Sequence, residues 1–187
     1  PWFPGETLNI GIGQGYMLST PLQLAVATAT IANRGIVPIP KLVKPNQDII
    51  QSKNEFGMLE NKKIKKTPSI FNTVIAQGNW QHIVNAMEAV VHDSKIGTAN
   101  SISHGLKYKI AGKTGTAQVI GIAQDAEYDA DTIMERQRDH ALFAGFAPID
   151  EPKVVVSVIL ENAGGGSRFA APIARQIFDW VILDKDF

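Results

Sequence analysis

HALFAGFAPIDEPKVVVSVILE, residues His140 to Glu161, holds two apolar runs on either side of a short linker bounded by prolines. His140 to Ala147 and Lys153 to Glu161 both read as strands. The second is the clearer, because Val-Val-Val-Ser-Val-Ile-Leu is dominated by β-branched residues that fit a pleated, half-buried surface. Pro148 to Pro152 is short enough to join them as an antiparallel pair. Working outward, Tyr108 to Val119 reads as a third strand. Gly164-Gly165-Gly166 ends the last strand, and Pro172 to Leu183 follows as a helix with Ile173, Ile177 and Val181 on one stripe and Phe178 beside it.

Helices also precede the strands. Thr20 can cap and Pro21 can take the first position of a helix in which Leu22, Ala25, Val26, Ala29 and Ala32 recur at helical spacing, until Asn33-Arg34-Gly35 supplies a stop. Leu24 and Ile31 lie off that stripe, so burial on most sides is expected. Gly35 to Pro40 reads as a short extended stretch. A second helix is predicted from Asn79, with Ile83, Val84, Met87, Val90 and Val91 on one face and Gly97-Thr98-Ala99 beyond its end. The predicted order is helix, helix, three strands, helix. Consecutive strands with helices before and after specify an α+β fold, an antiparallel sheet sandwiched by helices.

Composition sets wider limits. The 187 residues have the length of one domain, and 44% hydrophobic content suffices for a sizeable core. Eighteen basic and eighteen acidic side chains cancel, so overall charge points neither to nucleic acid nor to an anionic membrane surface. The absence of cysteine excludes disulfides and thiolate zinc sites. Residues 45–68 are polar and lysine-rich, with Lys62, Lys63, Lys65 and Lys66 close together, and read as a solvated surface segment rather than a phosphate patch.

Within the strand predicted from Tyr108 to Val119 lies IAGKTGTAQV, Ile110 to Val119. Gly112-Lys113-Thr114 resembles the end of a phosphate-binding loop, but that motif needs a glycine at position 107, which is a lysine. Gly11-Ile12-Gly13-Gln14-Gly15 fails as a dinucleotide fingerprint, because its third glycine is misplaced and Tyr16 follows it. A strand carrying Lys113-Thr114-Gly115-Thr116 suits another chemistry. Gly115 removes the side chain that would keep a ligand's backbone away. Main-chain groups can then hold an extended peptide, the hydroxyls and the ammonium can bind a carboxylate, and a free N–H can polarise a carbonyl. The competing reading is an exposed edge strand that a lysine protects against aggregation.

The motif and its surroundings carry a resemblance. Lys113-Thr114-Gly115 resembles the third signature of the penicillin-binding proteins and serine β-lactamases. PWFPGETLNIGIGQGYMLSTPLQLA (Pro1 to Ala25), GNWQHIVNAMEAVV (Gly78 to Val91), YKIAGKTGTAQV (Tyr108 to Val119) and RDHALFAGFAPIDEPKVVVSVILENAGGG (Arg138 to Gly166) are similar, in order and spacing, to the C-terminal part of the transpeptidase domain of the class B penicillin-binding protein 2 family. Those are the D,D-transpeptidases of bacterial cell elongation. The resemblance implies the penicillin-binding protein fold, incomplete in this chain, with a mostly helical subdomain beside the sheet. It implies an acyl-serine reaction on peptidoglycan stem peptides ending in D-Ala-D-Ala, and acylation by β-lactam antibiotics. By position, Lys113 supplies positive charge and hydrogen bonds, Thr114 and Thr116 bind the substrate's carboxylate beside Gly115, and the Thr116 N–H forms half of the oxyanion hole. No cofactor or metal is implied.

The chain departs from the family pattern in one respect. The nucleophile belongs to a Ser-x-x-Lys motif, and no serine here has a lysine three places later. Ser52-Lys53-Asn54 matches a second signature, Ser-x-Asn, but lies in the wrong order and reads as coincidence. The expectation is that residues 1–187 are the C-terminal portion of one transpeptidase domain, that the serine and a membrane anchor lie upstream, and that this polypeptide alone is inactive. The whole protein would sit in the bacterial inner membrane with its catalytic domain in the periplasm, beside a glycosyltransferase and other elongation proteins. A division-type class B transpeptidase and a non-catalytic peptide-binding relative are the alternatives.

Other residues read more plainly. His82, His92, His104 and His140 lack ligand-like spacing. Asp125, Glu127, Asp129 and Asp131 alternate as in a calcium loop, but Ala130 and Arg136 stand where glycine and glutamate are needed. Gly164 to Arg168 reads as a turn between strand and helix rather than an anion seat, and Trp2, Trp80 and Trp180 read as packing residues.

Overall fold

The structure is a computed structural model of the chain and describes residues 2–42, 49–53, 59–63, 75–120 and 133–184. Helix α1, Pro4–Gly11, was not expected. Pro4 at its start and Glu6 in its first turn are ordinary initiation signals, but no residue of α1 is buried, so it has no apolar stripe to detect. Helix α2, Pro21–Ala32, begins as predicted. Thr20 Oγ1 accepts from the Gln23 N–H at 3.2 Å and Gln23 Oε1 accepts from the Thr20 N–H at 2.8 Å, which satisfies two otherwise orphaned donors. Arg34 and Gly35 both adopt positive φ and end it. The buried residues are Thr28 and Ala32, whereas Leu22 is exposed, so the predicted stripe is rotated.

Strands β1, Ile49–Lys53, and β2, Leu59–Lys63, pair antiparallel with Ile49 opposite Lys63 and Ser52 opposite Glu60. This hairpin lies in the segment 45–68, whose composition gave no strand signal; the rest of that segment lies outside the described residues. Ser52 and Lys53 sit on β1, while Asn54 is outside the described residues. Helix α3, Gln77–His92, starts two residues earlier than predicted. Trp80, Val84 and Val91 are buried and Ile83 is exposed, which moves its inward face by one position.

Strands β3, Ala111–Ala117, β4, His140–Ala147, and β5, Val154–Leu160, form an antiparallel sheet in the order β3-β4-β5. Ala147 pairs with Val154 across the predicted linker. Helix α4, Ala170–Leu183, closes the described chain. It begins two residues before Pro172, and its buried stripe is Ala170, Ala171, Ala174 and Phe178, not the predicted Ile173–Ile177–Val181 line. Alanines let the helix axis approach the sheet closely, and Ile173 is left at the surface.

Strand alternation sends side chains to two cores. Ala141, Phe143, Ala147 and Val156 pack with Ala170, Ala171, Ala174 and Phe178 of α4 and with Val91 of α3. Ala111 and Phe146 pack on the opposite face with Ala32 of α2, Val84 of α3 and Ile149. Helices thus cover both faces, as predicted. Each fully buried phenylalanine contributes about 1.5–3 kcal/mol by leaving water. Phe143 fits because Gly112 and Gly145 face each other across β3 and β4, and a Cβ on either would overlap its ring. Of the three tryptophans expected to pack, only Trp80 is buried; Trp2 and Trp180 are exposed.

Candidate active site

Strand β3 is one of the two edges of the three-stranded sheet among the described residues, and it carries all four motif residues. Lys113 pairs with Ala144, Thr114 with Phe143, Gly115 with Leu142 and Thr116 with Ala141. The strand is regular, so Thr114 and Thr116 share one face and Lys113 and Gly115 the other. The two threonine side chains therefore leave the strand on the same side, and the lysine side chain leaves it on the other. Lys113 and Thr116 are exposed, and Thr114 and Gly115 are half-buried. Lys113 Nζ donates to the Thr114 carbonyl at 2.7 Å. Gly115 is not packed into the interior: a Cβ there would meet only Leu142 Cβ, at 3.3 Å.

A cleft of about 380 Å³ adjoins the end of this strand, between Gly13, Gln14, Gly15, Met17 and Leu18 and the run Ala117 to Ile120. It begins one residue beyond Thr116. Gly13, Gln14 and Gly15, from the run read in the sequence as no nucleotide site, belong to its opposite wall. The acidic residues Asp125 to Asp131 lie outside the described residues.

Neighbouring segments hold β3 in place. Thr98 Oγ1, in the turn after α3, lies 2.8 Å from Thr114 Oγ1. Ser167, in the turn that leads to α4, donates its hydroxyl to the Thr98 carbonyl. At the strand's root, His92 Nε2 accepts from the Ile110 N–H at 3.1 Å, and Lys109 pairs with Glu88 at 2.7 Å. Tyr108 donates to Asp179 at 2.6 Å; Asp179 also receives Arg175 at 2.6 Å, and Arg175 reaches the Ile102 and His104 carbonyls. Burial, reinforced by the Asp179 carboxylate, holds the Tyr108 phenol above its usual range and keeps it a donor. Gly164 to Arg168 forms the expected turn, with the Arg168 guanidinium 5.2 Å above the Phe169 ring.

Thr98, Ser167 and His92 were missed as site-supporting residues. Thr98 lies 16 residues from Thr114 and 69 from Ser167, so no local period relates them. The one usable hint is a hydroxyl after a glycine, Gly97-Thr98, in the segment that follows α3.

His92 gives a pH prediction. Burial, helped by the Lys109 charge and opposed by Glu88, lowers its pKa from about 6.5. The fold favours the neutral ring, which is the form that can accept from Ile110. Stability from this contact is present above the unfolded pKa and is lost as pH falls, because the unfolded chain binds the proton more readily. Melting temperatures between about pH 5 and 8 should show a steeper acid loss for the parent than for His92→Gln, which offers an acceptor and does not titrate. Equal slopes would remove His92 from this role.

The penicillin binding protein transpeptidase domain model matches residues 1–179, and the chain belongs to that family. It is 38% identical over 185 residues to a peptidoglycan D,D-transpeptidase MrdA of Haemophilus influenzae, covering 99% of this chain and 27% of that protein. A crystal structure of Pseudomonas aeruginosa PBP2 in complex with WCK 5153 superposes with a TM-score of 0.69 at 38% identity, covering 98% of this chain and 34% of that one. The Helicobacter pylori PBP2 complexed with MreC gives a TM-score of 0.68 at 27% identity, covering 98% and 28%. The chain thus spans about a quarter of the length of the curated relative and carries the transpeptidase fold.

Proposed function

We propose that residues 1–187 are the C-terminal portion of the transpeptidase domain of a peptidoglycan D,D-transpeptidase, and that they supply the substrate-binding strand while a serine upstream supplies the nucleophile. The observation that carries this is Lys113-Thr114-Gly115-Thr116 on an edge strand, with both hydroxyls on one face and the half-open Gly115 between them.

The chemistry divides as follows. The serine oxygen attacks the carbonyl of the penultimate D-Ala in a stem peptide, and the carbonyl oxygen becomes an oxyanion. The Thr116 N–H donates to that oxyanion, and Lys113 places positive charge beside the reacting hydroxyls. Thr114 and Thr116 hold the terminal carboxylate. Collapse expels D-Ala with a proton, leaving an acyl-serine. An amine from a neighbouring stem attacks the ester, forms the new amide and returns the proton and the serine. A β-lactam presents a carboxylate and a strained amide at the same spacing and stops at the acyl-enzyme.

This reading puts the whole protein in the bacterial inner membrane through an upstream anchor, with this domain in the periplasm. Among the described residues no helix is long and apolar enough to cross a membrane. A glycosyltransferase and other elongation proteins, among them one like the MreC bound by the Helicobacter pylori PBP2, are the partners it suggests.

Labelling with a fluorescent penicillin tests the division of labour. The longer protein should take the label and residues 1–187 alone should not, since no Ser-x-x-Lys is present. Covalent labelling of the isolated chain would overturn the placement of the nucleophile. An upstream sequence without Ser-x-x-Lys would leave a peptide-binding relative instead.

A further inference from the structure

The face of β3 that carries the two threonines is built from three distant parts of the chain. Thr98 Oγ1 lies 2.8 Å from Thr114 Oγ1, and either atom can be the donor. Thr98 itself is fixed. Its carbonyl receives the Ser167 hydroxyl, the Gly97 N–H before it bonds the Asp93 carbonyl at 3.0 Å, and the Ala99 N–H after it bonds the Val90 carbonyl at 2.9 Å.

A threonine hydroxyl has one proton to give and two lone pairs to receive with. If Thr114 donates to Thr98, its proton is spent. If Thr98 donates to Thr114, the Thr114 proton is free for a ligand. A carboxylate on this face accepts hydrogen bonds and donates none, so it selects the second arrangement: Thr98 to Thr114 to carboxylate. Each donor in such a chain polarises the next, and the terminal bond is strengthened.

We propose that Thr98 is a positioning residue that fixes the direction of the Thr114 hydroxyl and thereby raises affinity for the terminal carboxylate of the peptide or β-lactam. The inference rests on the reading of β3 as the carboxylate-binding strand. Thr98 acts through Thr114, so its signature is in binding and not in the chemical step.

The test measures β-lactam binding and acylation by the full-length protein as separate constants. Thr98→Val keeps the shape and removes the donor, and should weaken initial binding about 3- to 10-fold with little change in the acylation rate constant. Thr98→Ser should restore it, and Thr98→Ala serves if the valine disturbs folding. In a Thr114→Val background, Thr98→Val should add nothing, and a penicillin esterified at its carboxylate should not distinguish Thr98→Val from the parent. Unchanged binding by Thr98→Val alongside impaired Thr114→Val overturns the inference and leaves the site reading standing. An equal loss in the Thr114→Val background shows a merely structural role and overturns it too. Unchanged binding by Thr114→Val removes the site reading itself, and the inference with it.

Discussion

Lys113→Ala in the full-length protein should slow acylation by a β-lactam by about 10²-fold or more, while the melting temperature stays near that of the parent. The two halves of this result have different causes. Lys113 is exposed, and its Nζ donates to the carbonyl of the next residue, Thr114, at 2.7 Å. Removing an exposed side chain that fills no core space usually changes stability by about 0.5 kcal/mol or less. The catalytic loss is larger because a positive charge held beside the reacting groups stabilises charge that develops only in the transition state. Thr116→Val is the companion. It removes the hydroxyl proposed to bind the carboxylate but keeps the backbone N–H, so it should act on binding more than on the rate constant. Rapid-mixing acylation kinetics together with thermal melts separate these effects. An unchanged acylation rate for Lys113→Ala would take the lysine out of the site, whereas a matching fall in melting temperature would make it a structural residue.

How much of this was legible beforehand depends on the range of the interactions involved. The pairing of β4 with β5 needs only a short linker between two β-rich runs, and the start of α2 needs only Thr20, Pro21 and Gln23, so both could be read from local residues. The motif strand was legible for the same reason, and its regularity decided which side chains share a face. Buried stripes were read less well. In α4 the large aliphatics mark one line of the helix, but it approaches the sheet through Ala170, Ala171 and Ala174, because close packing selects small residues as readily as large ones. The β1–β2 hairpin is polar, so period and composition were silent about it. The supports of the site join residues 98, 114 and 167, a convergence made by the fold alone.

Gly166→Ala should be the most damaging single methyl group in the site's surroundings, costing about 3 kcal/mol or more. A Cβ at this buried glycine would overlap the carbonyl oxygens of Leu142 and Gly115 and stand 3.1 Å from the Gly115 nitrogen. Those atoms are the backbone of a β4–β3 pair, so no side-chain rotation can relieve the overlap. Gly166 cannot simply lift away either, because its carbonyl accepts from the Ala170 and Ala171 N–H groups at 3.1 and 2.9 Å and so starts α4. Relief must come from raising the turn, which draws Ser167 off Thr98, or from pushing β3 out of line at Gly115. Either movement disturbs the strand that carries Lys113 to Thr116, so acylation should fall with stability, in contrast to Lys113→Ala. Gly165→Ala is the control: its Cβ would meet nothing within 4 Å and should be nearly neutral. Denaturant unfolding of the two variants decides the matter, and a Gly166→Ala protein as stable as Gly165→Ala would mean that the turn does not press on β3 as described.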